Sequence, residues 1–202
     1  AVEFDTSTSY FAFVDKTTSK PTLLVLRKDS VKAMYITYLG EVSYVSYSCG
    51  LHPFVLSDKT SDNTVVTVPF SETDYYNTIN LNTKEVSRHT VLFGTYKNLT
   101  IESVVYADDY FENFYVLLKQ TGNDYLLFGK FSKNDELIGI AQTEIPVGYY
   151  PAEELSSTKV VLENSTGNSF IVEKNSYDEI KIINKDLLIY SEVSLPGLIP
   201  GI

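Results

Sequence analysis

Cys49 and His52 lie three residues apart in YSCGLHPF, where a nucleophile and a base stand close in sequence. A Cys–His pair attacks through its thiolate, which needs the base within hydrogen-bond reach and a third group to orient it. No such signature surrounds these residues, so a buried thiol in a turn beside a structural histidine is the expectation. His89 is the only other histidine, and with one Cys and two His the chain falls short of an ordinary zinc ligand set. A lone cysteine also excludes an intrachain disulfide.

Carboxylates cluster at Asp108, Asp109 and Glu112, and at Asp58 and Asp62. Calcium takes several hard oxygens from one loop, and neither cluster has the register of a calcium loop. Solvated acidic turns are expected, with Asp108-Asp109 the first place to look for calcium. Acid pairs for glycoside chemistry are set by separation in space, so the sequence nominates none. A carboxylate-dependent hydrolase therefore ranks last, and the chain is expected not to be an enzyme. No phosphate loop or dinucleotide fingerprint occurs, and no cofactor or metal is expected. Aromatic residues could line a sugar platform, but there is no Trp, and sheet-surface and core roles account for most of the sixteen Tyr. The net charge of −10 disfavours nucleic acid, which is bound through a basic stripe, and equally an anionic membrane surface. Two N-glycosylation sequons occur, at Asn98 (Asn-Leu-Thr) and Asn164 (Asn-Ser-Thr). Glycans there would require export.

The elements that must carry these residues are strands. Runs rich in Val, Ile, Tyr, Phe and Thr recur at 22–28, 31–39, 64–70, 90–96, 114–120, 124–131, 136–143, 169–174 and 187–193. Between them stand turn residues, notably 121–124, 132–135 and 164–168, where Gly, Asn, Asp and Ser suit positive φ or Asx turns. A short helix is expected over 151–158, with Pro151 in its first turn. Residues 108–119 read as a turn followed by a strand. The fold class is all-β: antiparallel β-sandwich-like sheets with an extended N-terminal strand. The alternative is a small β-propeller-like repeat of hairpins. It rests on a weak internal similarity, with copies beginning at Phe11, Val65, Phe114 and Val160, at spacings near those of propeller blades. The expected organisation is an N-terminal strand over 1–15 and a globular body over 16–202, with two similar halves, 16–107 and 108–202.

Both ends invite contact with a partner. Val2, Phe4, Thr6, Thr8, Tyr10, Ala12 and Val14 fall on one face of a long strand with no Gly or Pro to break it. About thirteen residues at 3.3 Å each span roughly 40 Å, about twice an ordinary strand. A free strand satisfies its backbone by completing another sheet, either its own or a neighbour's. At the other end Leu195, Leu198, Ile199 and Ile202 are apolar where chain ends are normally polar, and they form a second candidate interface.

The start at Ala1, the strand over 2–14, the β body rich in Ser, Thr, Asn and Tyr, and the single Cys resemble archaeal extracellular threads and related donor-strand filaments. That resemblance covers architecture and composition. It implies an exported, often glycosylated structural subunit that inserts its N-terminal strand into the next copy, so that its partner is itself. The expected location is extracellular, at the cell surface. The alternative is a monomeric secreted module that binds glycan or protein, with its first strand paired at home. No run of about 18 apolar residues exists, so no membrane-spanning helix is expected.

Overall fold

The structure, a computed structural model, describes residues 8–27, 32–47, 54–57, 63–69, 74–107, 113–156, 158–174 and 179–194. These residues form strands and turns, and no helix occurs among them. The first sheet joins β1 (Thr8–Val14), β2 (Pro21–Arg27), β3 (Lys32–Thr37) and β4 (Val42–Ser46) in chain order. The second joins β5 (Phe54–Ser57), β6 (Asn63–Thr67), β7 (Tyr75–Asn80) and β8 (Val86–Thr90). The third holds β9 (Leu99–Ala107), β10 (Asn113–Gln120), β11 (Tyr125–Ser132) and β12 (Leu137–Pro146). The fourth holds β13 (Tyr150–Ser156), β14 (Lys159–Glu163), β15 (Ser169–Lys174), β16 (Glu179–Asn184) and β17 (Ile189–Ser194). Each sheet is a meander in which sequential strands are neighbours.

The all-β class holds, and its propeller-like alternative describes the chain, in place of sandwich-like paired sheets. Each of the four copies read from the sequence falls in a sheet of its own. Their phase is off by one strand: Phe11 lies in the first strand of its sheet, while Val65, Phe114 and Val160 lie in the second strand of theirs.

The connections repeat more faithfully than the strands. Residues 37–41, 132–136, 164–168 and 184–188 form one kind of turn. In each, the first residue's N–H donates to the carbonyl of the fifth, and the fourth residue's N–H donates back to the first. The fourth residue is left-handed: Gly40 (φ 81°), Asp135 (62°), Gly167 (80°) and Leu187 (62°). The first residue is Thr37, Ser132, Asn164 or Asn184, whose side-chain oxygen accepts from backbone N–H groups inside the turn. This is the hairpin pairing of a tight turn with one left-handed residue. A version longer by one residue closes 15–20 and 80–85, with Ser19 (φ 56°) and Lys84 (φ 63°) left-handed and Asp15 and Asn80 as the capping acceptors.

The chain divides into two compact units, Ala1–His89 and Thr90–Ile202. In the first, Leu24, Leu26, Ala33, Tyr35, Val65 and Ile79 form a core on which Phe11 and Phe13 pack. In the second, period-two pairs such as Tyr115/Leu117, Leu126/Phe128, Val160/Leu162 and Ile180/Ile182 form another. The division expected at 107/108 would cut the β9–β10 hairpin, whose strands are paired from Leu99 to Ala107. The observed one follows the end of the second meander.

Two local expectations give way. Residues 151–156 are strand rather than helix. β13 is an edge strand paired only with β14, so Pro151 can sit there without costing an outward ladder bond. Residues 91–98 are not a strand: Leu92 makes an isolated bridge to Glu136, Gly94 is left-handed, and the Phe93 ring packs edge-on against Phe131 at 6.2 Å.

Candidate functional site

The first strand stays at home over its described length. Thr8, Tyr10, Ala12 and Val14 pair with Arg27, Val25, Leu23 and Pro21 of β2, with no break in register. The face assignment inverts. Phe11 and Phe13 pack against the core, and the Phe13 ring meets Tyr35 edge-on at 6.2 Å, whereas Ala12 and Val14 are exposed. Phe11 and Phe13 offer two phenyl rings to the core against the mixed Thr8, Tyr10, Ala12 and Val14 on the other parity, and the strand turns the two phenyl rings inward. Val2, Phe4 and Thr6 lie outside the described residues, as do Leu195, Leu198, Ile199 and Ile202. So do Cys49, His52 and both acidic clusters, Asp58/Asp62 and Asp108/Asp109/Glu112. His89 is described: its ring stacks on Tyr76 at 4.8 Å and its Nε2 lies 2.8 Å from Thr78 Oγ1. Among the described residues no three His, Cys, Asp or Glu side chains gather as a metal-holding group.

Both sequons sit at turns. Asn98 is exposed and left-handed (φ 60°), at the entry to β9. Asn164 opens the β14–β15 turn, and its Oδ1 accepts from Thr166 N (3.1 Å), Thr166 Oγ1 (2.8 Å) and Asn168 N (3.0 Å).

A cluster that the sequence reading did not nominate lies in the second unit, where β12 meets β17. Irregular pairing builds it. Between Leu127↔Gln142 and Tyr125↔Pro146, β12 carries Thr143, Glu144 and Ile145 against the single residue Leu126. Thr143 Oγ1 donates to the Leu126 carbonyl and secures this bulge. Between Ile183↔Ile189 and Ile182↔Ser191, Tyr190 is the extra residue of β17. Bulges turn a side chain away from the direction a regular ladder would give it. Here they bring the Tyr190 hydroxyl to the Glu144 carboxylate, to which it donates a hydrogen bond. That bond is the first cause of a raised Tyr190 pKa. Desolvation and the charge of Glu144 add to it, and Tyr125 and Tyr149 stand close enough to contribute.

Rings brace the cluster from below. Tyr149, which is buried, meets Phe170 edge-on at 5.0 Å, and Phe170 meets Tyr190 the same way at 5.2 Å. Tyr125 and Tyr190 are each 42% exposed. Edge-to-face contacts fix ring orientation as well as burying area.

The opposite edges of the same two sheets repeat the device. Glu102 is the extra residue of β9 between Leu117↔Ser103 and Leu118↔Ile101, and it accepts a hydrogen bond from Tyr150 of β13. The Tyr150 pKa is raised by desolvation first and by Glu102 second. Two phenol–carboxylate contacts thus fasten the sheet pair, one at each edge. The one at Tyr150 is half-buried, and the one at Tyr190 opens to solvent. Sequence reading missed both because a bulge leaves no mark in residue type.

No protein family matches this sequence, and no curated protein matches it either. Solved structures do. Hydrazine synthase from Kuenenia stuttgartiensis is similar with a TM-score of 0.52 at 12% identity, over 89% of this chain and 61% of that one. A protein of unknown function from Bacteroides caccae gives 0.42 at 13% identity, over 88% of this chain and 59% of its own. Virginiamycin B lyase from Staphylococcus aureus gives 0.39 at 12%, over 92% and 55%. The chain thus spans roughly three fifths of the length of these neighbours. At such identity the likeness to the Kuenenia protein concerns fold alone, and the fold it supports is a propeller-like repeat of small antiparallel sheets.

Proposed function

We propose that this chain is a non-catalytic binding module of an exported protein that keeps its first strand. The observation that carries this reading is the unbroken pairing of Thr8–Val14 with Pro21–Arg27. A strand whose rings Phe11 and Phe13 pack on its own core would expose that core on leaving. Export is supported by the position of both sequons at turns, with Asn98 exposed and Asn164 half-exposed. Deleting residues 1–7 tests the reading. We expect a monodisperse monomer by light scattering, with a melting temperature unchanged within error. Deleting 1–14 should instead destabilise the first unit. A full-length chain that forms fibres, and a 1–7 deletion that does not, would overturn the reading.

A second reading, self-assembly of the donor-strand kind, is favoured by the edges of the first sheet. β1 and β4 end that sheet, and Val42 and Tyr44 are exposed on β4. An uncovered strand edge with apolar side chains is a template for strand addition. Lysine at both positions should abolish any fibres seen by electron microscopy.

A further inference from the structure

We propose that the Tyr125–Glu144–Tyr190 cluster is a carbohydrate-binding platform for a neutral oligosaccharide. The inference rests on the binding-module reading and names its ligand class.

Three properties of the cluster point there. First, two tyrosine rings remain nearly half exposed, and one of them is braced: the partly buried Phe170 packs on Tyr190, and the buried Tyr149 packs on Phe170. Rings held in place stack on a ligand with little conformational entropy left to lose. Second, the polar groups of the site are phenol hydroxyls and one carboxylate. Glu144 already accepts from Tyr190, and a carboxylate has acceptor capacity for several donors. A sugar ring alternates an apolar C–H face with hydroxyl donors and acceptors, and this pattern of ring and oxygen complements it. Third, Glu144 and Tyr190 both stand at register breaks, so two separate strands deviate from regular pairing to bring these side chains together. The matching contact at Tyr150 and Glu102 is half-buried, without the exposed ring that Tyr190 presents.

The chemistry separates this ligand from the nearest competitor. A quaternary ammonium group needs ring faces that surround one point. Here the ring contacts are pairwise and edge to face, Tyr149–Phe170 at 66° and Phe170–Tyr190 at 68°, and Tyr125 and Tyr190 are each 42% exposed, an arrangement of open rings rather than of rings closed round one point.

The test uses the full chain, titrated by isothermal calorimetry and NMR with cellohexaose, xylohexaose, mannohexaose, maltohexaose and chitohexaose, and separately with choline chloride. Saturable binding of at least one hexaose is expected. Tyr190→Ala and Tyr125→Ala should each weaken it at least tenfold. Tyr190→Phe, which keeps the ring, should weaken it less than Tyr190→Ala. Tyr38→Ala, an exposed tyrosine of the first unit, should leave it unchanged. Melting curves of each variant establish that the fold persists. Silence across all five sugars overturns the platform, and so does binding that both alanine variants retain, or binding of choline alone. None of these outcomes touches the binding-module reading, which falls only if the full-length chain forms fibres that the 1–7 deletion cannot.

Discussion

Tyr35 is the residue where burial and chemistry are most at odds. It is 1% exposed, and among the described residues its hydroxyl meets no hydrogen-bond partner. The Lys84 ammonium lies 5.1 Å from its ring centre and 3.0 Å from Ser43 Oγ. Burial pushes the phenol up to about 12 from 10.0. Because the folded value is raised, the stability linked to this proton is complete below pH 10 and is lost as pH climbs towards 12. The whole effect is roughly 3 kcal/mol by linkage. Tyr35→Phe removes a buried hydroxyl that no described residue satisfies and leaves the ring contacts. It should be neutral or slightly stabilising at pH 7 and should flatten the alkaline loss. Urea denaturation from pH 7 to 11.5 checks both, and a cost above about 2 kcal/mol at pH 7 would reject the account. At Tyr190 and Tyr150 the raised values have the same sign, so ionisation of these phenols should loosen the second unit at high pH. Tyr190→Phe and Tyr150→Phe together should remove that part of the alkaline transition in the same titration.

Among the elements, turns and bulges decide more than strands do. Leu187 holds a left-handed φ of 62° while its side chain is 69% exposed. Nothing about packing recommends leucine there, and a β-carbon in that region is strained. Leu187→Gly should stabilise by about 0.5–1 kcal/mol in urea denaturation. Gly129 is the opposite case. A Cβ there would lie 2.7 Å from Leu118 Cδ1 and 3.2 Å from Leu137 Cδ1, on neighbouring strands. Gly129→Ala should cost about 1–3 kcal/mol, because those side chains belong to a packed core. Strand positions were legible because Val, Ile, Leu, Phe and Tyr crowd into short runs between turn residues, as at 114–120 and 169–174. The strand at 151–156 was not, since Pro-Ala-Glu-Glu-Leu carries helix-forming residues and only its pairing with β14 makes it extended. Residues 90–96 failed in the other direction: strand-like side chains there pack as an irregular connection.

At the scale of the whole molecule, two cores stand in two units, each built from two meanders. A unit with its own core should fold by itself. Residues 90–202 expressed alone should give a β-rich circular dichroism spectrum and a cooperative melt. A non-cooperative, urea-insensitive fragment would show that its core needs the first unit. The number of sheets was foreshadowed by the four weak copies in the sequence, whereas the division between the units was not. The sequence repeats hairpins, and a hairpin repeat reads alike wherever the sheet boundary falls.

Local chemistry fixed much of this protein before any packing. The all-β class follows from residue types that suit a pleated surface, and the capped turns follow from Asn, Ser, Thr and Gly at set offsets. Tertiary structure decided three further things. It set which face of residues 8–14 turns inward, because Phe11 and Phe13 outweigh their neighbours only once a core exists to receive them. It placed the sheet boundaries, which depend on which hairpins pair. And it brought Glu144 to Tyr190, and Glu102 to Tyr150, through register breaks set by cross-strand pairing. Residues 46 and 48 positions apart in the chain meet there because two sheets pack, and linear spacing carries no trace of that contact.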